Sequence, residues 1–417
     1  MKSVLPLSQS IVLQAGKKYV GLALTAAVTS GLFFAPLALA QKVEPLKIGV
    51  LSDMSGSLSD LAGQGSALAA KLAIEDAGGR VLNRPVELLE GDHLNKPDTG
   101  LTIARKWYDT GVRAIFDVGL TSVALGIQDL AKEKNQLVIY SATASADLYG
   151  KNCSPNGFFW TYDNYVQSLG AVKAMVDRGA KTWYFITIDY AFGKNIQRDA
   201  TALIEAAGGK VIGSTTHPFT ASDFSSQLLQ AQASKADVIA LATITTHAAI
   251  IIKQADEFGI RGKGQKIAPL SIQINTIKAM GLKPMQDVYT TEAYYWDQDE
   301  ANRTFAMRFK ERAGKMPNQI QAGVYSGVTH YLKAVAAAGT DDTAAVAAKM
   351  RSIPINDMMT KNGSIRADGR VLRDMFVFRV KKPSESKGDW DLYTQVSTIP
   401  AAKAAVPADR AVCSLIK

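Results

Sequence analysis

The stretch 112-VRAIFDVGLTSVALGIQDLAKEKNQLVIYSATAS-145 decides the fold. VRAIFDVG and QLVIY are short apolar runs rich in Val, Ile and Phe, the pattern of strands buried on both faces. Between them, Val123, Ile127, Leu130 and Ala131 fall at helical spacing, so VALGIQDLAKEKN reads as an amphipathic helix. Strand, loop, helix, strand, loop is a βαβ unit and calls for a parallel sheet. Both strands run into hydroxyl-bearing loops, Thr121-Ser122 and Thr143-Ala144-Ser145. Ligands of open α/β sheets sit outside the carboxyl ends of the strands, and a helix start offers free N–H groups to an anion. The same residues also serve as a helix cap and a turn. Two such loops on neighbouring strands favour a ligand site.

Working outward, the residues before this unit repeat its alternation. LKIGVLSDM contains a buried strand from about Leu46 to Leu51, a small polar loop follows, and SALAAKLAIEDAGG is a helix closed by Gly78-Gly79. RPVELLEGD is a strand, and DTGLTIARKWYDTG is a helix with Leu101, Ala104, Trp107 and Tyr108 on one side. Gly63-Gln64-Gly65-Ser66-Ala67-Leu68 only half matches a dinucleotide fingerprint. It lacks the third glycine and lies too far from the strand for the tight turn, so it reads as loop and helix start.

Past the aromatic break KNCSPNGFFWTYDNYVQ a second α/β series begins. KTWYFITIDYAFG is a strand whose end carries Asp189, Tyr190 and Phe192; ADVIALATITT ends at Thr243, Thr245 and Thr246; QKIAPLSIQ ends at Gln273. VYTTEAYYWDQ then crosses back, and three helices follow. In the tail, Ile365–Arg366 and Met375–Val380 read as a hairpin around Asp368-Gly369. The expected architecture is α/β: two doubly wound parallel-sheet lobes joined by a multi-crossover hinge, with a ligand cleft between them. The expected division is 42–161 plus about 293–365 for lobe 1, and 162–292 plus about 366–417 for lobe 2.

A chain of 417 residues, 47% hydrophobic and 20% charged, fits a two-domain globular protein. Residues 1–40 read as a removable signal peptide: Lys17-Lys18, an apolar run, then Ala38-Leu39-Ala40 as a cleavage pattern before Gln41; the alternative is an uncleaved membrane anchor. Removal of Lys2, Lys17 and Lys18 takes the formal charge from +9 to +6, interspersed without a basic block, so nucleic acid is not an expected partner. Cys153 and Cys413 are the two cysteines. In an exported chain they are a candidate disulfide that would pin the C-terminal tail; the alternative is two unrelated thiols.

No constellation demands catalysis. His93, His217, His247 and His330 lack zinc-ligand spacing, there is no nucleophile elbow, and no cofactor or metal motif stands out. His217 and His330 read as structural, and His247 opens a helix beside a candidate loop.

LKIGVLSDMSGSLSDLAGQGSALAAKLAIEDAGG, GVRAIFDVGLTSVALGIQDLA, SATASADLYG, DYAFGKNIQRDATALIEAAGGKVIG and RFKERAGKMPNQIQAGVYSGVTHYLKAV together resemble the periplasmic solute-binding proteins of ABC importers, branched-chain amino-acid-binding (leucine-binding) type. The resemblance implies a periplasmic type I binding fold with three crossovers, closing on one small molecule and delivering it to ABC permease subunits in the inner membrane. Carried over residue by residue, it implies Thr121, Ser122, Ala142, Thr143 and Ser145 for the ligand carboxylate, and Tyr190 and Phe192 as aromatics over the ligand. In the second lobe it points to Thr243, Thr245 and Gln273. There the chain departs from the family, whose amino-acid binders hold the α-ammonium with an acid. ALATITTHA and PLSIQINT contain no carboxylate, and a buried ammonium without an anionic partner is costly. The expected ligand is therefore a small carboxylate lacking a free α-amino group, aromatic or hydroxylated given Trp160, Tyr162, Tyr190 and Phe192. Asp189 or Asp163 would be needed to restore an amino-acid reading. A sensor for a separate signalling partner is the remaining alternative.

Overall fold

The computed structural model describes residues 43–410 and 412–416. The expected signal peptide, 1–40, lies outside the described residues.

The first half alternates as read, with two short strands, Arg80–Val81 and Gly157–Phe159, that the reading did not contain. β1 (Leu46–Ser52), α1 (Gly63–Asp76), β2 (Arg80–Val81), β3 (Arg84–Asp92), α2 (Pro97–Asp109), β4 (Val112–Asp117), α3 (Thr121–Glu133), β5 (Leu137–Tyr140) and β6 (Gly157–Phe159) follow in turn. They build a six-stranded sheet in the order β2-β3-β1-β4-β5-β6, parallel except for the short β2–β3 pair. Helices cover both faces, which is why β4 and β5 can be almost wholly apolar. Strand order reverses at β1 and β4, and the crevice at such a switch point is where this architecture binds ligands. The Gly63–Gly65 segment serves packing: a Cβ at Gly65 would collide with Gln321.

The second half runs α4 (Asn164–Val176), β7 (Thr182–Ile188), α5 (Ala191–Ala206), β8 (Lys210–His217), α6 (Ser225–Ala233), β9 (Val238–Ala242), α7 (Thr245–Glu257), β10 (Lys266–Pro269), α8 (Ile274–Met280), α9 (Leu282–Met285) and β11 (Tyr289–Glu292). β7 to β10 form a parallel sheet ordered β10-β9-β7-β8. α10 (Glu300–Ala313), α11 (Gln319–Ala338) and α12 (Thr343–Ser352) then return, and α11 packs its apolar residues into the core of the first sheet. α11 starts on a capping box made by Asn318 and Gln321.

The tail differs from the reading. β12 (Ser364–Ile365) pairs with β13 (Val371–Leu372) around the Asp368-Gly369 turn, where Gly369 adopts φ 86°. β14 (Met375–Val380) instead lies between β11 and β15 (Tyr393–Ile399) in an antiparallel sheet. A register shift at Val377/Phe378 re-aims the side chains of β14. Met375 and Val377 join the first core, and Phe378 and Val380 join the second. Beyond Ile399 the chain does not stay with the second lobe as expected for 366–417. Cys413 is bonded to Cys153, with Cα atoms 5.7 Å apart, and Arg370 reaches the Ala404 carbonyl. The chain thus passes between the lobes after β6, after β11, before β14 and again after β15.

Buried polar groups secure these crossings. Arg370, fully buried, donates to Asp163 at 2.9 Å and to the Phe159 carbonyl at 3.1 Å, while Asp163 also accepts from Tyr149 and caps α4 through the Val166 N–H. Removing one partner of such a pair leaves an uncompensated buried charge.

Candidate functional site

A cavity of about 70 Å³ lies where the carboxyl ends of β1, β4 and β5 face those of β7, β9 and β10. Its wall is mostly apolar, with Leu58, Leu61, Leu120, Ala142, Ala144, Phe192, Ile244 and Ile320. Ser52, Asp53, Thr121, Tyr162, Tyr190, Thr245, Ser271 and Gln273 add polar groups to it, and an apolar wall with placed polar groups is the usual composition of a small-molecule site. The loop after β4 begins with Asp117 and Val118 at φ 82° and 53°, a costly backbone conformation for residues with side chains. The surrounding buried sheet end holds them there, which fixes the turn into Gly119, Leu120 and Thr121.

Of the residues expected from sequence, Thr121, Ala142, Tyr190, Phe192, Thr245 and Gln273 line the cavity. Four others are brought close without lining it. Ser122 meets the Tyr190 hydroxyl, which accepts from its N–H at 3.1 Å and donates to its Oγ at 3.2 Å. The phenol of one lobe thus caps the α3 N-terminus of the other, and burial pushes its pKa up, keeping it protonated. Thr143 donates its hydroxyl to the Val118 carbonyl and holds the two loops together. Ser145 accepts from Asn195 of α5 at 2.8 Å, a second clasp between lobes. Thr243 lies behind the wall, 3.1 Å from His217 Nε2.

His217, His247 and His330 are held by hydrogen bonds and packing away from the cavity wall. His217 also meets the Pro218 carbonyl, and His330 Nε2 faces the Met350 carbonyl at 2.9 Å. His247 does not line the cavity. It stacks edge-on to His217 and near Phe224, and burial with the neighbouring His217 lowers its pKa to about 4, so it is neutral.

Of the acids near the cavity, Asp189, Asp163 and Asp53 are committed elsewhere, while Asp117 keeps Oδ1 without a partner among the described residues. Asp189 is exposed and pairs with Lys194 at 2.8 Å. Asp163 is occupied by Arg370, Tyr149 and the α4 cap. Asp53, which sequence reasoning missed, does contribute to the wall, but its carboxylate accepts from the Gly56 and Leu58 N–H groups and from Asn95 at 2.6, 2.8 and 2.6 Å. It holds its own loop. Asp117, buried beneath Ser52, is raised to about 6 by burial, partly offset by the Ser52 hydroxyl at 2.7 Å. Among the described residues, no three His, Cys, Asp or Glu side chains are grouped to hold a metal ion.

The geometry is that of a two-lobed receptor with a small, largely apolar cleft. A family model described as periplasmic binding protein matches residues 45–389. The chain belongs to the periplasmic binding protein family. Its members are transport components and not enzymes.

Solved relatives agree. A periplasmic binding protein from Burkholderia mallei is 41% identical, with a TM-score of 0.87 over 90% of this chain and 100% of that one. A branched-chain amino acid ABC transporter periplasmic ligand-binding protein from Burkholderia xenovorans is 40% identical, with a TM-score of 0.82 over 89% and 100% of the two chains. An ABC transporter solute-binding protein from R. palustris, solved with benzoate, shares the fold at 18% identity and a TM-score of 0.77, covering 89% of this chain and 99% of that one. The match to a Leu/Ile/Val-binding protein of Rhizobium johnstonii is 24% identical over 219 residues, 52% of this chain and 58% of that relative. Among the described residues of this periplasmic binding protein, no helix is long and apolar enough to cross a membrane.

Beyond Asp53, the reading of this binding protein also missed Ser52, Leu58, Leu61, Ser271 and Ile320, all of which line the cavity. Ser52 and Ser271 follow the strand-end rule that found the others. Ile320 had no such signal, because it comes from the first turn of a returning helix.

Proposed function

We propose that this chain is the substrate-capturing component of an ABC importer. Its ligand is a small carboxylate that lacks a free α-amino group and carries an apolar body, with a flat ring suiting Tyr162, Tyr190 and Phe192. The observation that carries the reading is the absence, among the described residues, of a cavity-lining carboxylate free to accept an ammonium. An ammonium buried there would lose its hydration without an anionic partner. The hydroxyls of Thr121 and Thr245 and the amide of Gln273 instead suit an acceptor such as a carboxylate.

Closure follows from differential contact. Thr121 and Ala142 stand on one lobe, Tyr190, Phe192, Thr245 and Gln273 on the other, so a ligand touches both sets only when the lobes meet. Export through the expected signal peptide, and delivery to permease subunits in the inner membrane, belong to the same proposal. The benzoate complex of the R. palustris relative is consistent with an aromatic acid.

A branched-chain amino acid is the second reading, favoured by the name of the Burkholderia xenovorans relative. It requires Asp53 to accept the ammonium in addition to its three present donors.

A thermal-shift panel on the chain from Gln41 tests the choice, because a ligand specific to the folded state raises the melting temperature. Matched pairs are compared: 3-phenylpropanoate against phenylalanine, 4-methylpentanoate against leucine, with benzoate added. Shifts with the amine-free member of each pair support the proposal; shifts confined to the amino acids sink it.

A further inference from the structure

We infer that Gln319, a residue that does not line the cavity, sets the polarity of Gln273 and thereby selects ligands that present an acceptor, not an ammonium, at that wall. The inference rests on the proposed amine-free ligand and adds the device that enforces it.

The relay starts at a group whose polarity is fixed. The backbone N–H of Ala293, in the crossover after β11, can only donate. It donates to Gln319 Oε1 at 2.9 Å. Gln319 is therefore turned with its NH₂ away from Ala293, and that NH₂ donates to Gln273 Oε1 at 3.1 Å. Gln273 must then show its own NH₂ elsewhere. It lines the cavity, and its amide nitrogen has no hydrogen-bond partner among the described residues. That nitrogen is what the wall offers a ligand.

The relay is held rigidly. Gln319 is fully buried, and it sits in the first turn of α11, directly after the Asn318 cap, whose side chain accepts from the Ile320 and Gln321 N–H groups at 2.9 and 3.1 Å. Gln273 itself is 2% exposed and is the N-cap residue of α8, in the loop that follows β10. Neither amide can rotate without leaving a buried donor facing a donor, or an acceptor facing an acceptor. The pair also joins the two lobes, so the polarity is set in the arrangement that surrounds the ligand. A cavity NH₂ favours a carboxylate or carbonyl oxygen and opposes an ammonium, and the side chain that orients it never touches the ligand.

Two substitutions test this from opposite ends. Gln273→Glu replaces the cavity donor with an acceptor directly. Gln319→Glu does so indirectly in its ionised form: its carboxylate accepts from Ala293 with one oxygen and can only accept with the other, so the titrations are run at several pH values up to the alkaline limit of stability to ensure that the buried acid has lost its proton. Gln273 is then forced to turn its NH₂ inward and its carbonyl to the cavity. Affinities are measured by titration calorimetry for 3-phenylpropanoate and phenylalanine, and for 4-methylpentanoate and leucine. In both variants the ratio of acid to amino-acid affinity is expected to fall about tenfold or more relative to the unsubstituted protein. A Gln319→Glu protein that weakens both members of each pair equally, leaving the ratio unchanged, overturns the relay, as does an unchanged ratio in Gln273→Glu. Melting curves check folding, and if Gln319→Glu does not fold, Gln319→Met frees the Gln273 amide to turn either way and is expected to narrow the ratio. The ratio in the unsubstituted protein tests the amine-free reading; the change between proteins tests the relay, so the two can fail separately.

Discussion

Glu292 allows the energetics of the hinge to be tested with one substitution. It ends β11 at the crossover, 1% exposed, with Oε1 accepting from the Tyr393 hydroxyl at 2.5 Å and Oε2 without a partner among the described residues. Burial raises its pKa from 4.5 to about 8, the Tyr393 hydrogen bond offsetting only part of the rise. The folded chain therefore keeps a proton that the unfolded chain releases above about pH 4.5. Stability contributed at this site is complete below that pH, falls as pH rises, and levels off above about pH 8. From the difference between the two pKa values, the loss amounts to roughly 3 kcal/mol at neutral pH and roughly 5 kcal/mol at the alkaline plateau. A glutamine at this position would resemble the protonated acid: its carbonyl accepts from Tyr393 and nothing titrates. Glu292→Gln is thus expected to match the parent protein near pH 4.5, apart from a constant packing offset, and to become progressively more stable than it above. Urea unfolding of both proteins at about pH 5, pH 7 and pH 9, read by tryptophan fluorescence, gives the difference directly. A stability gap that stays flat across this range, or one that favours the parent protein as pH rises, refutes the argument.

Two further outcomes follow from the geometry. Tyr190→Phe removes the hydroxyl that joins α5 to Ser122 and is expected to weaken ligand binding several-fold, for a loss of about 1 kcal/mol, with X-ray scattering showing a larger open fraction; unchanged affinity and scattering would count against a closing role. Reducing the Cys153–Cys413 bridge, which spans 260 residues of sequence, is expected to lower the unfolding free energy by at most about 5 kcal/mol while leaving ligand affinity unchanged, since neither cysteine lines the cavity.

The strand-end rule worked well where the local sequence contains the whole cause. Val112–Tyr140 folds as read because its alternation of apolar runs and an amphipathic helix leaves few other ways to bury those side chains. The same rule reached Thr121, Tyr190, Thr245 and Gln273 at the cavity. It went too far with Thr143, Ser145 and Thr243. A hydroxyl's type and position were legible, but the partners that claimed it, the Val118 carbonyl, Asn195 and His217, come from elsewhere in the chain. Met375–Val380 shows the same limit. Its apolar pattern is that of a strand, yet an alternating run carries no information about which edge it will join, and β11 and β15 took it in place of the expected hairpin partner.

What the sequence by itself determined is the set of elements, the α/β class, the two lobes and the family, because each is written in local periodicity and in motifs that survive without coordinates. What only the tertiary structure decided is which polar groups are already taken. Asp53 lines the cavity but is occupied by three donors, and Gln273 faces the cavity with an NH₂ only because Gln319 and Ala293 turn it that way. Hydrogen bonds saturate: each donor and acceptor is used once or a few times, and the groups that use it lie far apart in the chain. The chemistry left over for a ligand is therefore a property of the packed whole.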